Sequence, residues 1–147
     1  MSTTLRQLNG AALIVVDTTV LATLLLPCPL TWQAEALWRH DPLWVAPSSW
    51  RSVWCNRLAG DLQRDQLQLS DAVALMEMAE TLLRDPEQPA PAALVLELAQ
   101  RSGCPGDACT TVATALHLGL PLVTLDRALL RAFPDVARPL EAMLASC

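Results

Sequence analysis

The first clear pattern in the chain is an unbroken apolar run, Leu13-Ile14-Val15-Val16, rich in β-branched residues and closed by Asp17. Runs of this kind suit a strand buried on both faces, as in a parallel sheet. Thr18 or Thr19 is placed to cap a helix reaching Leu26, which Pro27 stops. Thr31 is placed to cap a second helix ending near His40, and Leu43-Trp44-Val45-Ala46 reads as a second strand. Pro47 and Ser48 then open a helix whose apolar positions Trp50, Val53, Trp54 and Leu58 recur at helical spacing. Ser70 is the expected cap of the next helix, with Leu69, Val73, Met76 and Leu83 on one apolar stripe.

A proline-rich connection, residues 85–91, separates that helix from another marked by Leu94, Val95 and Leu98 and ended by Gly103. Cys104-Pro105-Gly106-Asp107 starts a helix running to about Leu118, with Gly119 at its end. Pro121-Leu122-Val123-Thr124-Leu125 is the third strand, terminated by Asp126. A short helix to Phe133, an edge strand over 136–140 and a terminal helical turn over 141–147 complete the pattern. Strands alternating with helices predict an α/β fold, a mostly parallel central sheet with helices on both faces. With 147 residues and no dividing linker, a single domain spanning 1–147 is expected.

Composition changes this picture only at its edges. The chain carries ten Arg, no Lys and a net charge of −5, which argues against broad electrostatic binding to nucleic acid. A local basic rim around an acidic site remains compatible with it. The five cysteines lack zinc or redox spacing, so reduced thiols in a cytoplasmic protein are expected. Residues 11–30 are apolar enough to suggest a membrane span. Asp17 in their middle costs roughly 2.5–3.5 kcal/mol there, and Pro27 and Pro29 close the stretch, so no membrane partner is expected.

The candidate chemistry lies at the strand ends. Ligands of open α/β sheets gather outside the carboxyl ends of the strands, where Asp17 and Asp126 both fall. If their strands are neighbours, the two carboxylates converge, and close carboxylates repel unless a proton or cation joins them. Magnesium takes such oxygen ligands together with waters and substrate phosphates. Each aspartate taken alone reads better as a helix cap; the pair, each directly after an apolar strand, brings the metal reading level with it.

The order and spacing of several segments carry a family resemblance over nearly the whole chain. They are Val15-Val16-Asp17-Thr18-Thr19-Val20-Leu21, Ala46-Pro47-Ser48-Ser49-Trp50-Arg51-Ser52, Asn56-Arg57-Leu58, Leu98-Ala99, Ser102-Gly103-Cys104 and Pro121-Leu122-Val123-Thr124-Leu125-Asp126. Together they resemble a PIN domain, and within that group the small VapC-like toxin ribonucleases of toxin–antitoxin pairs. The resemblance implies a three-layer α/β/α architecture, RNA cleavage with Mg²⁺ or Mn²⁺, an antitoxin-like protein partner and a homodimer. It assigns metal ligation to Asp17 and Asp126 and support of Asp17 to Thr19, and it matches Thr124 to the threonine two residues before the last acid.

Two positions depart from the family pattern. Val53 stands where the family has a glutamate, and no carboxylate occurs between Pro42 and Gly60. The family's helix-start aspartate falls at Ala108, so Asp107 is one residue early, about 100° around a helix. Asp107 is therefore a candidate third ligand from an altered first turn, or simply a complement to the helix N-terminus. The losses predict a weakly held single metal. They also leave an alternative, a catalytically inactive module that binds RNA or a protein partner. Five tryptophans between Trp32 and Trp54 suggest core plus an oligomer interface more than base stacking. Arg127 and Arg131 share a helix face beside Asp126, where they can meet phosphates.

Overall fold

The structure, a computed structural model, describes residues 13–145. Its strands are β1 (Leu13–Val16), β2 (Leu43–Val45), β3 (Leu83–Arg84), β4 (Leu122–Val123) and β5 (Ala137–Arg138). The helices are α1 (Thr18–Leu25), α2 (Thr31–His40), α3 (Trp50–Gln63), α4 (Leu69–Leu82), α5 (Ala92–Ser102), α6 (Gly106–Leu118), α7 (Arg127–Ala132) and α8 (Leu140–Ala145). The sheet order is β3-β2-β1-β4-β5 and every pairing is parallel.

Side-chain alternation along the strands builds three layers. Ile14, Val16, Trp44 and Val123 point to one face, where they pack with Val20, Leu21, Leu37, Trp54 and Ala79 from α1 to α4. Leu13, Val15, Leu43 and Leu122 point to the other, against Leu98, Val112 and Leu129 from α5 to α7. Both faces are covered, so the strands read as continuous apolar runs rather than alternating ones. The result is an α/β/α sandwich.

The tryptophans divide between core and surface. Trp44, Trp50 and Trp54 are buried, while Trp32 and Trp38 are 62% and 38% exposed. The indole nitrogens of Trp44 and Trp50 are buried without a hydrogen-bond partner among the described residues, a cost of about 1–3 kcal/mol for each.

Several local expectations are corrected. Asp17, not Thr18 or Thr19, caps α1, because its carboxylate accepts from the backbone N–H groups of Thr19 and Val20. Thr31 is the first residue of α2, and its hydroxyl donates to the carbonyl of Thr23 instead of capping. Helix α4 begins at Leu69 with Gln68 before it, so Ser70 lies inside the helix. The buried positions of α4 are Ala72 and Ala79; Leu69 and Val73 are exposed. The third strand shrinks from 121–125 to Leu122–Val123. Strand β3 falls between α4 and the proline-rich connection, where no strand was expected. The terminal helix is described over Leu140–Ala145, and the expected end over 146–147 lies outside the described residues.

Gly103 and Gly119 end α5 and α6 in left-handed conformations, with φ of 74° and 67°, which side-chain-bearing residues adopt only with strain. The four described cysteines Cys28, Cys55, Cys104 and Cys109 are free thiols. No described helix is long and apolar enough to cross a membrane.

Candidate active site

From β1 the chain steps one way to β2 and β3, then returns to place β4 and β5 on the other side. The direction therefore reverses between β1 and β4, and crevices form at such reversals. Asp17 follows the last residue of β1 and Thr124 the last residue of β4. Val16 pairs with Val123, so the register brings Thr124 beside Asp17 and carries Asp126 two residues beyond it.

Hydrogen bonds tie the two strand ends together. The Thr19 hydroxyl accepts from Leu125 N–H at 2.9 Å and donates to Asp17 Oδ1. The Thr124 hydroxyl accepts from Asp126 N–H at 2.9 Å and donates to Asp17 Oδ2. Each hydroxyl has a single proton. An N–H pointing into its oxygen leaves that proton free to face the carboxylate. Two relays, N–H to hydroxyl to carboxylate, thus converge on Asp17 from the segment that carries Asp126. The backbone N–H of Thr19 adds a further bond to Oδ1 at 3.1 Å, and Val20 one at 3.4 Å.

Burial of the Asp17 carboxyl pushes its pKa above the ordinary 3.8; the hydrogen bonds from Thr124, Thr19 and Val20 pull the other way without cancelling it. The group is thus held in place yet desolvated, and a cation beside it would relieve the cost. Asp126 is more open. Its Oδ1 accepts from Ala128 N–H at 2.9 Å and Leu129 N–H at 3.3 Å, capping α7. Neither bond uses Oδ2.

A cleft of about 100 Å³ opens over these groups. Asp17, Asp107 and Asp126 all line it, with Thr19, Trp50, Val53, Ala108 and Thr111 among the other walls. Asp107, in the first turn of α6, is an exposed residue whose carboxylate makes no hydrogen bond among the described residues. Val53 and Ala108 line the same cleft, each where the family resemblance expects an acid. No trio of His, Cys, Asp or Glu among the described residues forms a group able to hold a metal ion. Asp17 and Asp126 line the cleft with Asp107, and Asp126 Oδ2 takes no part in the helix cap. Magnesium, which keeps several waters and takes one or two carboxylates, suits such a set.

Residue patterning did not single out Thr111, a buried helix threonine without a local sequence signal. It also missed Asp61, a buried acid on α3 that pairs with Arg64 at 2.6 Å and Arg57 at 3.4 Å. That cluster lies outside the cleft. Arg127 and Arg131 are exposed on α7 and form no ion pair among the described residues.

The layered fold and the strand-end cleft define an open α/β protein with an acidic site at its switch point. The crystal structure of PAE2754 from Pyrobaculum aerophilum is similar to it, with a TM-score of 0.74 and 19% identity over 91% of this chain and 96% of that one. No family model matches the sequence, and no curated protein matches it.

Proposed function

We propose that this chain is a divergent PIN-type, VapC-like endoribonuclease that works with Mg²⁺ or Mn²⁺ held by Asp17 and Asp126. The observation that carries this reading is the pair of threonine relays, which fixes a desolvated Asp17 carboxylate beside the segment bearing Asp126. Helix capping alone needs only one Asp17 oxygen, yet both are held. A bound divalent ion would supply charge stabilisation at the phosphodiester and a more acidic water.

The chain's own groups do the rest. Asp17 and Asp126 present oxygens that orient a water for attack. Asp107 at the rim accepts a hydrogen bond from a water or sugar hydroxyl. The first turns of α1, α3 and α6 line the cleft, and helix N-termini attract phosphate. Arg127 and Arg131 add positive charge beside Asp126 and hold neighbouring phosphates of the RNA. Val53 and Ala108 keep the opposite wall apolar, so metal binding is weak and turnover slow.

An antitoxin-like partner and a homodimer belong to the same reading. In its favour, an apolar groove of about 360 Å³ between α3 and α4 includes the exposed Leu69 and Val73. The second reading is a non-catalytic module that binds RNA or a protein. It is favoured by one observation: both aspartates cap helices, and among the described residues no group of three metal-ligating side chains forms. RNA cleavage with Mg²⁺ or Mn²⁺ separates the two. The ribonuclease reading expects activity that Asp17→Ala and Asp126→Ala each abolish. Inactivity across metals and RNAs, or variants that cut equally well, leaves the binding module.

A further inference from the structure

The connection between α5 and α6 brings together two thiols that no sequence motif pairs. Gly103 ends α5 in a left-handed conformation, and Pro105 stands at the cap of α6. Cys104 therefore lies just before that cap, and Cys109 is the fourth residue inside the helix. Side chains at these two positions commonly pack on one another at helix starts. Here Cys104 packs against the buried cluster that includes Cys109, and both are free thiols.

Hydrogen bonds hold the pair in place. Ser102 Oγ donates to the carbonyl of Leu98 at 2.7 Å and accepts from Cys104 N–H at 3.1 Å. A hydroxyl has one proton, so in the 3.8 Å contact between Ser102 Oγ and Cys109 Sγ the thiol is the donor. The carbonyl oxygen of Cys104, 3.6 Å from Cys109 Sγ, is a second acceptor for that thiol. Ser102 thus fixes the main chain of one cysteine and the sulfur of the other. The Cys109 sulfur rests against the main chain of Cys104, and a disulfide joins Cβ atoms about 4 Å apart. Cys104 is half-buried and Cys109 buried, so a dissolved reagent meets Cys104 first. Asp107 and Ala108, which lie between the two cysteines, line the cleft.

We infer that Cys104 and Cys109 form a redox site on the helical wall of the cleft, closing to a disulfide by exchange with a small-molecule disulfide such as oxidised glutathione. The Cys104 thiolate attacks one sulfur of the oxidant; a mixed disulfide forms and one glutathione leaves. The Cys109 thiolate then attacks the Cys104 sulfur; the protein disulfide forms and the second glutathione leaves. The two cysteines give up two protons and two electrons, which reduce the oxidant to two thiols. The bridge ties the chain on either side of Asp107 and Ala108. Nothing in this site depends on the ribonuclease reading.

The test equilibrates the folded chain with mixtures of oxidised and reduced glutathione. Samples are then quenched, unfolded, alkylated and digested with trypsin for mass spectrometry. The chain has no Lys, so cuts after Arg101 and Arg127 release residues 102–127 with both cysteines, while Cys28, Cys55 and Cys147 fall on other peptides. The expected product is that peptide without alkyl groups, lighter by two hydrogens than its reduced form and restored by excess reduced glutathione. At a fixed mixture, its disulfide-to-dithiol ratio should be about tenfold higher in the folded chain than in urea, because the fold supplies the approach. Cys109→Ser should stop at the mixed disulfide on Cys104, and Cys104→Ser should leave Cys109 free of glutathione. A ratio no higher in the folded chain than in urea overturns the inference. So does an unaltered chain in which Cys104 carries only glutathione or joins a cysteine of another peptide.

Discussion

The two walls of the cleft are built differently. On the β1–β4 side, Asp17, Thr19, Thr124 and the backbone of Leu125 and Asp126 form one connected set of hydrogen bonds. On the α3–α6 side stand Val53, Ala108 and the exposed Asp107, with no bond joining them to that set. The same cleft thus has one ordered polar wall and one largely apolar wall. Buried polar groups persist only when their partners are supplied. The β1–β4 wall carries such a network, whereas Val53 and Ala108 on the helical wall have no polar side-chain group with which to build one. On the function proposed above, the difference places ion holding at the strand ends, not at the helical wall.

The comparison can be broken most severely at Thr124, which is fully buried and bonded in two directions. Thr124→Val should lower Mn²⁺ affinity and RNA cleavage by about 10–100-fold, and Thr124→Ser should restore most of both. Titrations of the folded variants with Mn²⁺ check this. Equal Mn²⁺ binding by Thr124→Val and the unaltered chain would show that the relays do not serve the site.

Rebuilding the helical wall is the converse experiment. Val53→Glu should raise Mn²⁺ affinity and cleavage by about tenfold, because a third carboxylate completes an oxygen-ligand set for the ion. The same substitution without metal should lower the melting temperature, since a partly buried carboxylate beside Asp17 is repelled. Asp107→Asn, on the exposed rim, should change cleavage by about threefold or less. A loss beyond about 30-fold would move Asp107 into the ligand set.

The smallest effect concerns pH and stability. The folded chain binds the Asp17 proton more tightly than the unfolded chain does. That contribution to stability is fully present below 3.8 and is lost as pH rises through the elevated folded value. Subtracting the melting temperatures of Asp17→Asn from those of the unaltered chain, without metal, should give a difference that falls as pH rises above about 4. A difference that rises with pH would mean that hydrogen bonding, not burial, dominates at Asp17.

The sequence made the strand ends legible because a β-branched run followed by aspartate leaves few alternatives. It left undecided whether each aspartate caps a helix or forms the site, and each does the first while lining the cleft. The relays could not be read locally: Thr19 and Thr124 meet only through the pairing of Val16 with Val123. Strand β3 escaped because two residues, Leu83 and Arg84, are too short for a periodic signal and pair only with a β2 already in place. The stripe on α4 misled because Leu69 and Val73 face outward, and apolar spacing alone does not say which face is covered. Trp44, Trp50 and Trp54 went to the core while Trp32 and Trp38 stayed outside, a division set by helix and strand phase.

The central claim is that the strand-end pair holds a divalent ion. Electron paramagnetic resonance of Mn²⁺ titrated into the folded chain, into Asp17→Asn and into Asp126→Asn tests it without reference to any RNA. The account predicts one Mn²⁺ per chain that competes with Mg²⁺ and is lost in both variants. No bound Mn²⁺ in the unaltered chain, or equal binding in all three proteins, would contradict it.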